Sequence, residues 1–405
     1  MHRPSAMKGL PPQLHLRNLA RQGGALLALR LLVGWRHLGR WTLRDGLRTI
    51  PVAAGSVGMG CIGFPYHPVI EVTSKCNLSC IHCHVGSSSL GVSPPFEELA
   101  RLIRGISQIP EFRMVVFTGG EPLVREDLPE LARVAKGVGL PVVIATNATL
   151  IDDGTARVLR RSGVVGAAIS LDAVDPGLHD RIRGKRGTFE KVMRGIEACQ
   201  RAGIVVQINI TAMKENADHI AEVLRWSHRR GAEIGLVYQL VPVGRGERIR
   251  DRALLVEENR RLMRTLREVQ REIKTVFEPV ASPQYWAYLL ASGSSNLGRR
   301  LGGWTFRGCT AGWGMLYVKA DGDVWPCPFV PLSAGNAFEG DIGEIWRKGE
   351  VFRLLRDRRN LKGSCGSCRW REVCGGCRGK ALAYSGDLLA EDPTCFVRED
   401  YPSSL

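Results

Sequence analysis

Three of the chain's twelve cysteines share one short stretch, Cys76-Asn-Leu-Ser-Cys80-Ile-His-Cys83, with the spacing C-x3-C-x2-C. Three thiolates on a tight loop can hold three irons of a cubane cluster and leave the fourth iron without a protein ligand. Such an open iron can bind a substrate or cofactor, unlike the irons of a fully ligated electron-transfer cluster. A structural zinc site asks for four ligands, usually as two paired C-x2-C units, which this loop does not supply. A second set, Cys309, Cys327, Cys365, Cys368, Cys374, Cys377 and Cys395, fills the last 97 residues. Seven cysteines are too many for one zinc and one short of two complete four-thiolate clusters. Cys61 and Cys199 have no cysteine partner at ligand spacing and read as inert. His67, His82 and His84 flank the first loop and read as packing or positioning residues.

These groups need a frame. From about residue 67 the chain alternates apolar, β-branched strand candidates with helical ones. The strands are Val69–Thr73, Met114–Phe117, Val142–Ala145, Val164–Ser170, Ile204–Ile210 and Gly235–Leu240. The helices are Phe96–Ile109, Leu128–Val138, Asp152–Ser162, Phe189–Ala202 and Ala217–Arg230, followed by a helical connector over Leu254–Phe277. Six strands at this spacing describe a parallel α/β unit, either an open doubly wound sheet or an incomplete barrel. The first cysteine loop, Gly119-Gly-Glu121, Thr146-Asn147 and Ser170-Leu-Asp172 each follow a strand. All four therefore fall at the C-terminal edge of the sheet, where such folds place active sites.

Composition sets the remaining bounds. The 405 residues are 44% hydrophobic and 24% charged, which excludes a largely disordered chain, and the net charge of +16 favours anionic partners. Residues 1–50 hold nine Lys or Arg and one acid, Asp45. Their most apolar run, Ala25–Trp35, is too short to span a bilayer and is interrupted by Arg30. Four arginines separate it from small residues at 53–54, which does not suit a signal peptide. The expectation is a cytoplasmic protein whose basic amphipathic segment either packs on the catalytic domain or lies on a membrane surface. Packing is the favoured reading. No basic groove interleaved with aromatics is visible, so nucleic acid is not expected.

The first cysteine spacing, followed by Gly119-Gly-Glu-Pro122, resembles the radical S-adenosylmethionine (SAM) superfamily. In that family the open iron of a [4Fe–4S] cluster chelates SAM, whose reductive cleavage gives a 5′-deoxyadenosyl radical that abstracts a substrate hydrogen. The resemblance makes Cys76, Cys80 and Cys83 the catalytic cluster ligands. It places Gly119, Gly120 and Glu121 at the methionine amino group, and Asn147 and Ser170 at the ribose or carboxylate. Asp172 stands in a stretch reading Ser-Leu-Asp-Ala, as fit for a structural role as for ligand contact. The C-terminal cysteines resemble the SPASM extension, which carries up to two auxiliary [4Fe–4S] clusters. That pattern assigns Cys365, Cys368, Cys374 and Cys395 to a distal cluster and Cys309, Cys327 and Cys377 to a proximal one. Two departures stand out. The last pair is C-x2-C where the general pattern has C-x3-C, and only Met315 and Tyr317 occur where some relatives add a proximal cysteine. The proximal cluster would then have a non-cysteine or exchangeable fourth ligand.

The implied fold is α/β. A partial (β/α)6 TIM-type barrel at 63–250 follows a basic helical N-terminal extension at 1–62. A helical connector at 251–305 then leads into a SPASM domain at 306–398. Further motifs, among them Ser282-Pro-Gln-Tyr285, Cys309-Thr-Ala-Gly-Trp313, Pro326-Cys-Pro-Phe-Val-Pro331 and Cys374-Gly-Gly-Cys377-Arg378, resemble the haem d1 and alternative haem biosynthesis branch. That branch implies a tetrapyrrole side chain as substrate. Arg245, Arg248, Arg250, Arg299, Arg300 and Arg307 could meet its carboxylates. The main rival is a maturase acting on a ribosomally made peptide, although residues 1–60 do not show the three-stranded recognition domain such enzymes often carry. An iron–sulfur electron carrier is disfavoured by the open first cluster. Reduced flavodoxin or ferredoxin is the implied electron donor.

Overall fold

The computed structural model describes residues 16–34, 67–88, 90–112, 114–293 and 295–400. The described strands form one sheet in the order β7-β6-β5-β4-β3-β2-β1-β8-β9. They are β1 (His67–Thr73), β2 (Val115–Gly119), β3 (Val142–Thr146), β4 (Val164–Ser170), β5 (Val205–Ala212), β6 (Ile234–Gln239), β7 (Val276–Val280), β8 (Met315–Val318) and β9 (Val324–Trp325). Every pair from β7 through β1 to β8 is parallel, and β8–β9 is antiparallel. Among the described residues the ends of the order, β7 and β9, do not pair, which leaves the barrel open there.

The crossovers follow the expected punctuation. Helices α2 (Phe96–Ser107), α3 (Leu128–Gly137) and α4 (Asp153–Ser162) join the first four strands. Asp152 caps α4 by accepting from Thr155 N, and Gly163 ends it in the left-handed region. Between β4 and β5 lie two helices, α5 (Pro176–Arg183) and α6 (Thr188–Arg201), of which the hydrophobic pattern indicates only the second. Helix α7 (Ile220–Arg229) leads to β6. Alternation along the strands sends Ile70, Phe117, Ile144 and Ile208 into the main core. It sends Val69, Val116, Val143 and Ala168 to the opposite face, in a smaller cluster.

The connector departs from expectation. Its helix α8 (Val256–Glu272) stops short, and Val276–Val280 becomes a seventh parallel strand. Thr275-Val-Phe277 is β-branched and aromatic, and that local preference overrides the helical period. Gln270 fixes the switch, donating to Thr275 O at 2.8 Å and accepting from Phe277 N at 2.8 Å. Pro279 is tolerated because β7 is an edge strand. Helices α9 (Gln284–Ser292) and α10 (Asn296–Thr305) follow, and β8 then adds to β1 with Val69 opposite Tyr317.

Of the N-terminal extension, helix α1 (Leu16–Val33) is described, and Trp35 and Cys61 lie outside the described residues. The helix packs on α10. Ala25, Leu26, Ala28, Leu29, Leu32 and Val33 are buried in the main core. A Cβ on Gly293 would fall 2.5 Å from Leu32 Cδ2, and one on Gly298 would lie 3.0 Å from Leu31 Cβ, so these glycines make the close approach possible. Arg271 Nε donates to the terminal carbonyl of Val33 at 2.7 Å. Among the described residues, no helix is long and apolar enough to cross a membrane.

Because α1 is part of the core, Leu32→Ala should lower unfolding free energy by about 2–5 kcal/mol. Removal of the chain before Gly58 should yield insoluble or markedly less stable protein. Thermal melts and soluble yield measure both, and unchanged stability would return α1 to the surface.

Candidate active site

The first cysteine loop leaves β1 and makes few bonds of its own. Its position comes from neighbouring segments. Ile81 N donates to Ile182 O at 3.0 Å, Cys76 N to Ser88 O at 2.9 Å, and Arg245 N to Cys83 O at 2.9 Å. Arg245 Nη1 reaches Cys80 O at 2.9 Å and its Nη2 reaches Ser87 O. Arg245, expected to meet substrate carboxylates, therefore clamps the loop instead. Asp172 lies beneath the loop, wholly buried. It pairs with Arg183 Nη2 at 2.8 Å and with His82 Nε2 at 3.2 Å, and accepts from Thr211 N at 2.8 Å. Burial alone would raise its carboxyl, but the Arg183 guanidinium and His82 hold it well below the usual carboxylate range. Arg183 Nη1 lies 3.8 Å from Cys80 Sγ. Asp172 thus has the structural role, and Arg183 is a site residue that cysteine spacing gives no means of finding.

The Gly-Gly-Glu segment presses against the loop's root. A Cβ on Gly119, whose φ is +141°, would lie 1.9 Å from Thr73 O, and one on Gly120 would lie 2.0 Å from Lys75 O. Only glycine permits that approach. Gly120 N and Glu121 N then donate to Thr73 O and Lys75 O, each at 2.8 Å. The Glu121 carboxylate is wholly buried and accepts from Thr146 Oγ1 at 2.7 Å, Asn147 N at 2.7 Å and Leu123 N at 3.2 Å. Burial pushes its pKa up to about 7. Its side chain ties β2 to β3. Asn147 Nδ2 bonds Asn77 Oδ1 at 2.8 Å, joining β3 to the cysteine loop. Ser170, half-buried and in register with Asn209, makes no side-chain hydrogen bond among the described residues, which leaves its hydroxyl for a ligand.

The C-terminal cysteines fall into neighbourhoods. The Cys374 thiol feels Cys395 and Cys365, and Cys365 feels Cys368. Cys377 feels Cys309, and Cys309 N donates to Cys374 O at 3.0 Å, so the two neighbourhoods adjoin. Cys327, half-buried, follows β9. Gly375 and Gly376 both have positive φ, and a Cβ on Gly376 would lie 2.9 Å from Cys365 Sγ, so Cys374-Gly-Gly-Cys377 can fold this tightly only with glycines. Backbone amides point at the sulfurs: Asp392 N at Cys365 and Lys380 N at Cys377, both at 3.5 Å, and Trp370 N at Cys368 and Gly376 N at Cys374, both at 3.4 Å. Leu78 N does the same for Cys76 at 3.5 Å.

This donor set suits iron–sulfur ligation. Burial pushes the thiols of Cys377 and Cys395 up to about 12 and that of Cys76 up to about 11, so without a Lewis acid they stay protonated. Bound iron would keep them as thiolates, and the amide donors would stabilise that charge. None of the described cysteines is in a disulfide. Among the described residues no three Cys, His, Asp or Glu groups converge at single-ion distance. Buried Cys199 sits in the main core on α6.

One further polar unit spans the two cysteine sets. Tyr317 on β8 donates to Glu71 Oε1, whose other oxygen accepts from Ala320 N at 3.1 Å. The phenol feels both Cys83 and Cys327, and His84 Nε2 stands 3.5 Å away. The Tyr317 hydroxyl is therefore already engaged. Met315 is half-buried opposite His67.

Comparison with known proteins bears on this arrangement. Residues 70–227 match the radical SAM superfamily and residues 309–369 match an iron–sulfur cluster-binding domain, SPASM. The chain is 36% identical to an AdoMet-dependent heme synthase of Methanosarcina barkeri, over 81% of this chain and 95% of that protein. It is 30% identical to a pre-heme d1 synthase of Dinoroseobacter shibae, over 83% and 87%. In fold it is similar to Streptococcus suis SuiB bound to precursor peptide SuiA, with a TM-score of 0.66, 22% identity and coverage of 82% and 76%. The chain belongs to the radical SAM superfamily, as an enzyme that binds S-adenosylmethionine and a [4Fe–4S] cluster and carries a SPASM iron–sulfur extension.

Proposed function

We propose that this enzyme alters a side chain of a tetrapyrrole in haem-type cofactor synthesis, in the cytoplasm. The supporting observation is its likeness to a heme synthase over nearly that protein's whole length. Cys76, Cys80 and Cys83 hold the SAM-binding cluster. Cys365, Cys368, Cys374 and Cys395 hold one auxiliary cluster, and Cys309, Cys327 and Cys377 a second. Bound there, cluster and SAM would supply the one-electron chemistry that removes a hydrogen atom from an unactivated carbon. The chain's own residues do the rest. Asp172 and Arg183 hold the loop, Gly119 and Gly120 let the sheet edge close on it, and Ser170 offers a hydroxyl to SAM. Met114, Val116, Val143 and Ala168 line the sheet face below with apolar surface that excludes water.

A tetrapyrrole carries several carboxylates. Arg250 is taken up by Ala383 O and the Tyr384 ring, and Arg245 by the loop. Arg248, exposed and without a carboxylate partner among the described residues, is left to meet one. The rival reading, a peptide maturase, draws on the fold likeness to SuiB.

The proposal extends to peripheral membrane contact. That contact would run through the N-terminal segment, where Leu27 stays exposed on α1.

Reconstituted protein should hold about twelve irons, for three four-iron clusters. Replacing Cys76, Cys80 and Cys83 by Ala should remove about four of them and all SAM cleavage. Replacing Cys365 and Cys368 should abolish product while sparing some uncoupled 5′-deoxyadenosine formation. Zinc in stoichiometric amount at the C-terminal cysteines would overturn the auxiliary assignment. An iron tetrapyrrole bearing propionates should accelerate 5′-deoxyadenosine formation and emerge with a changed mass. Neither effect, under conditions where SAM is cleaved, would sink the tetrapyrrole reading. Flotation with anionic vesicles should show binding that weakens as salt rises, and equal binding to neutral vesicles would dismiss the charged contact.

A further inference from the structure

We propose that the turn joining α5 to α6, Arg181-Ile-Arg-Gly-Lys-Arg186, is the docking surface for a small acidic one-electron carrier protein. The inference rests on the reading of Cys76, Cys80 and Cys83 as ligands of the SAM-binding cluster.

The turn is built onto the cysteine loop. Ile182 O accepts from Ile81 N at 3.0 Å, Ser79 Oγ donates to Gly184 O at 3.4 Å, and Lys185 Nζ reaches Asn77 O at 3.4 Å. Gly184 has φ +72°, and a Cβ there would lie 2.7 Å from both Ser79 O and Ser79 Oγ. No other residue fits between turn and loop in this conformation. The basic side chains then divide. Arg183 turns inward, buried, with Nη1 3.8 Å from Cys80 Sγ. Arg181, Lys185 and Arg186 turn outward, exposed, and have no ion-pair partner among the described residues.

Two acids stand near these three exposed cations, and both are held by backbone amides rather than ion-paired to them. Asp180 accepts from Gly187 N at 2.6 Å and Phe189 N at 2.9 Å, and Asp175 caps α5 through Leu178 N at 2.6 Å. A cationic, solvent-facing turn thus borders the cysteine loop at exposed Ser79, with Arg183 beneath it reaching Cys80. An acidic carrier steered to this face brings its donor group to the short side of the loop. In the step itself one electron leaves the reduced carrier and one arrives at the iron–sulfur group. No atom or proton is exchanged.

The test uses reconstituted full-length protein and compares Arg181→Glu/Arg186→Glu with a control of equal charge change, Lys348→Glu/Arg353→Glu, on the exposed auxiliary segment. Cluster reduction is followed by stopped-flow absorbance with reduced flavodoxin and with photoreduced deazaflavin, a small uncharged donor. The turn variant should be reduced by flavodoxin about tenfold more slowly or worse, with a flattened salt dependence. Deazaflavin should reduce it at the wild-type rate, and the control should match wild type with both donors. Equal slowing of the control would make net charge, not the turn, responsible. Unchanged flavodoxin kinetics, or equal slowing with deazaflavin, would overturn docking at this surface. Arg181→Gln/Arg186→Gln guards against misfolding and should show an intermediate loss. Wild-type protein reduced by deazaflavin but never by flavodoxin would refute the acidic carrier. Protein that holds no cluster on Cys76, Cys80 and Cys83 would instead refute the underlying reading.

Discussion

The buried carboxylate of Asp172 is the anchor on which the site depends. The loop that carries Cys76, Cys80 and Cys83 makes few hydrogen bonds within itself and is held by its neighbours. Asp172 supplies the missing rigidity by holding His82 within the loop and Arg183 beneath it, while Thr211 N and Asn216 tie the aspartate to β5. A carboxylate removed from water is tolerable only when paired and hydrogen-bonded in this way, and breaking such an arrangement costs about 3–5 kcal/mol. The same pairing keeps a guanidinium beside Cys80, so one ion pair serves both the fold and the electrostatics of the sulfur.

The auxiliary segment is held by the same kind of buried polar chemistry. Lys380, wholly buried, donates to Gln239 at the end of β6 and to Thr394 Oγ1 at 3.1 Å. Thr394 Oγ1 in turn bonds Asp392, whose other oxygen accepts from Cys377 N at 2.7 Å. Gln284 and Ser282 close the network onto α8 through Asn259. The network joins β6, α8, the start of α9 and two stretches of the cysteine-rich part, which fixes that part in one position against the barrel.

Much of this was readable in the residues, and the reasons differ by feature. Cysteine spacing is a local property, so the first loop and the pairs near 365–377 declare themselves. The six central strands show because each is a run of β-branched residues closed by a turn. Helix α5 is short and opens with Pro-Gly, so its apolar period is too brief to register. Strand β7 was hidden behind a long helical pattern that only its last residues contradict. Arg183, Glu71 and Tyr317 are ordinary residue types, and their importance lies in distances across the fold that no window of sequence contains. Membrane contact and core packing compete for the same leucines of α1. Gly293 and Gly298, far along the chain from Leu32 and Leu31, decide for packing.

The pairing of β8 with β1 joins segments at opposite ends of the polypeptide, and Glu71 and Tyr317 are separated by 246 positions. At a synthesis rate of about 5–20 residues per second, a ribosome needs about 12–50 seconds to travel between them. During that interval the cysteine loop has been made while the strand that pairs with β1 on its other side does not yet exist. Glu71 then has neither the phenol nor the amide that later satisfy it, and the loop's thiols face the solvent. Completion of the sheet beside the cysteine loop is thus a late event in the life of the chain, and Glu71 stays unsatisfied until β8 arrives.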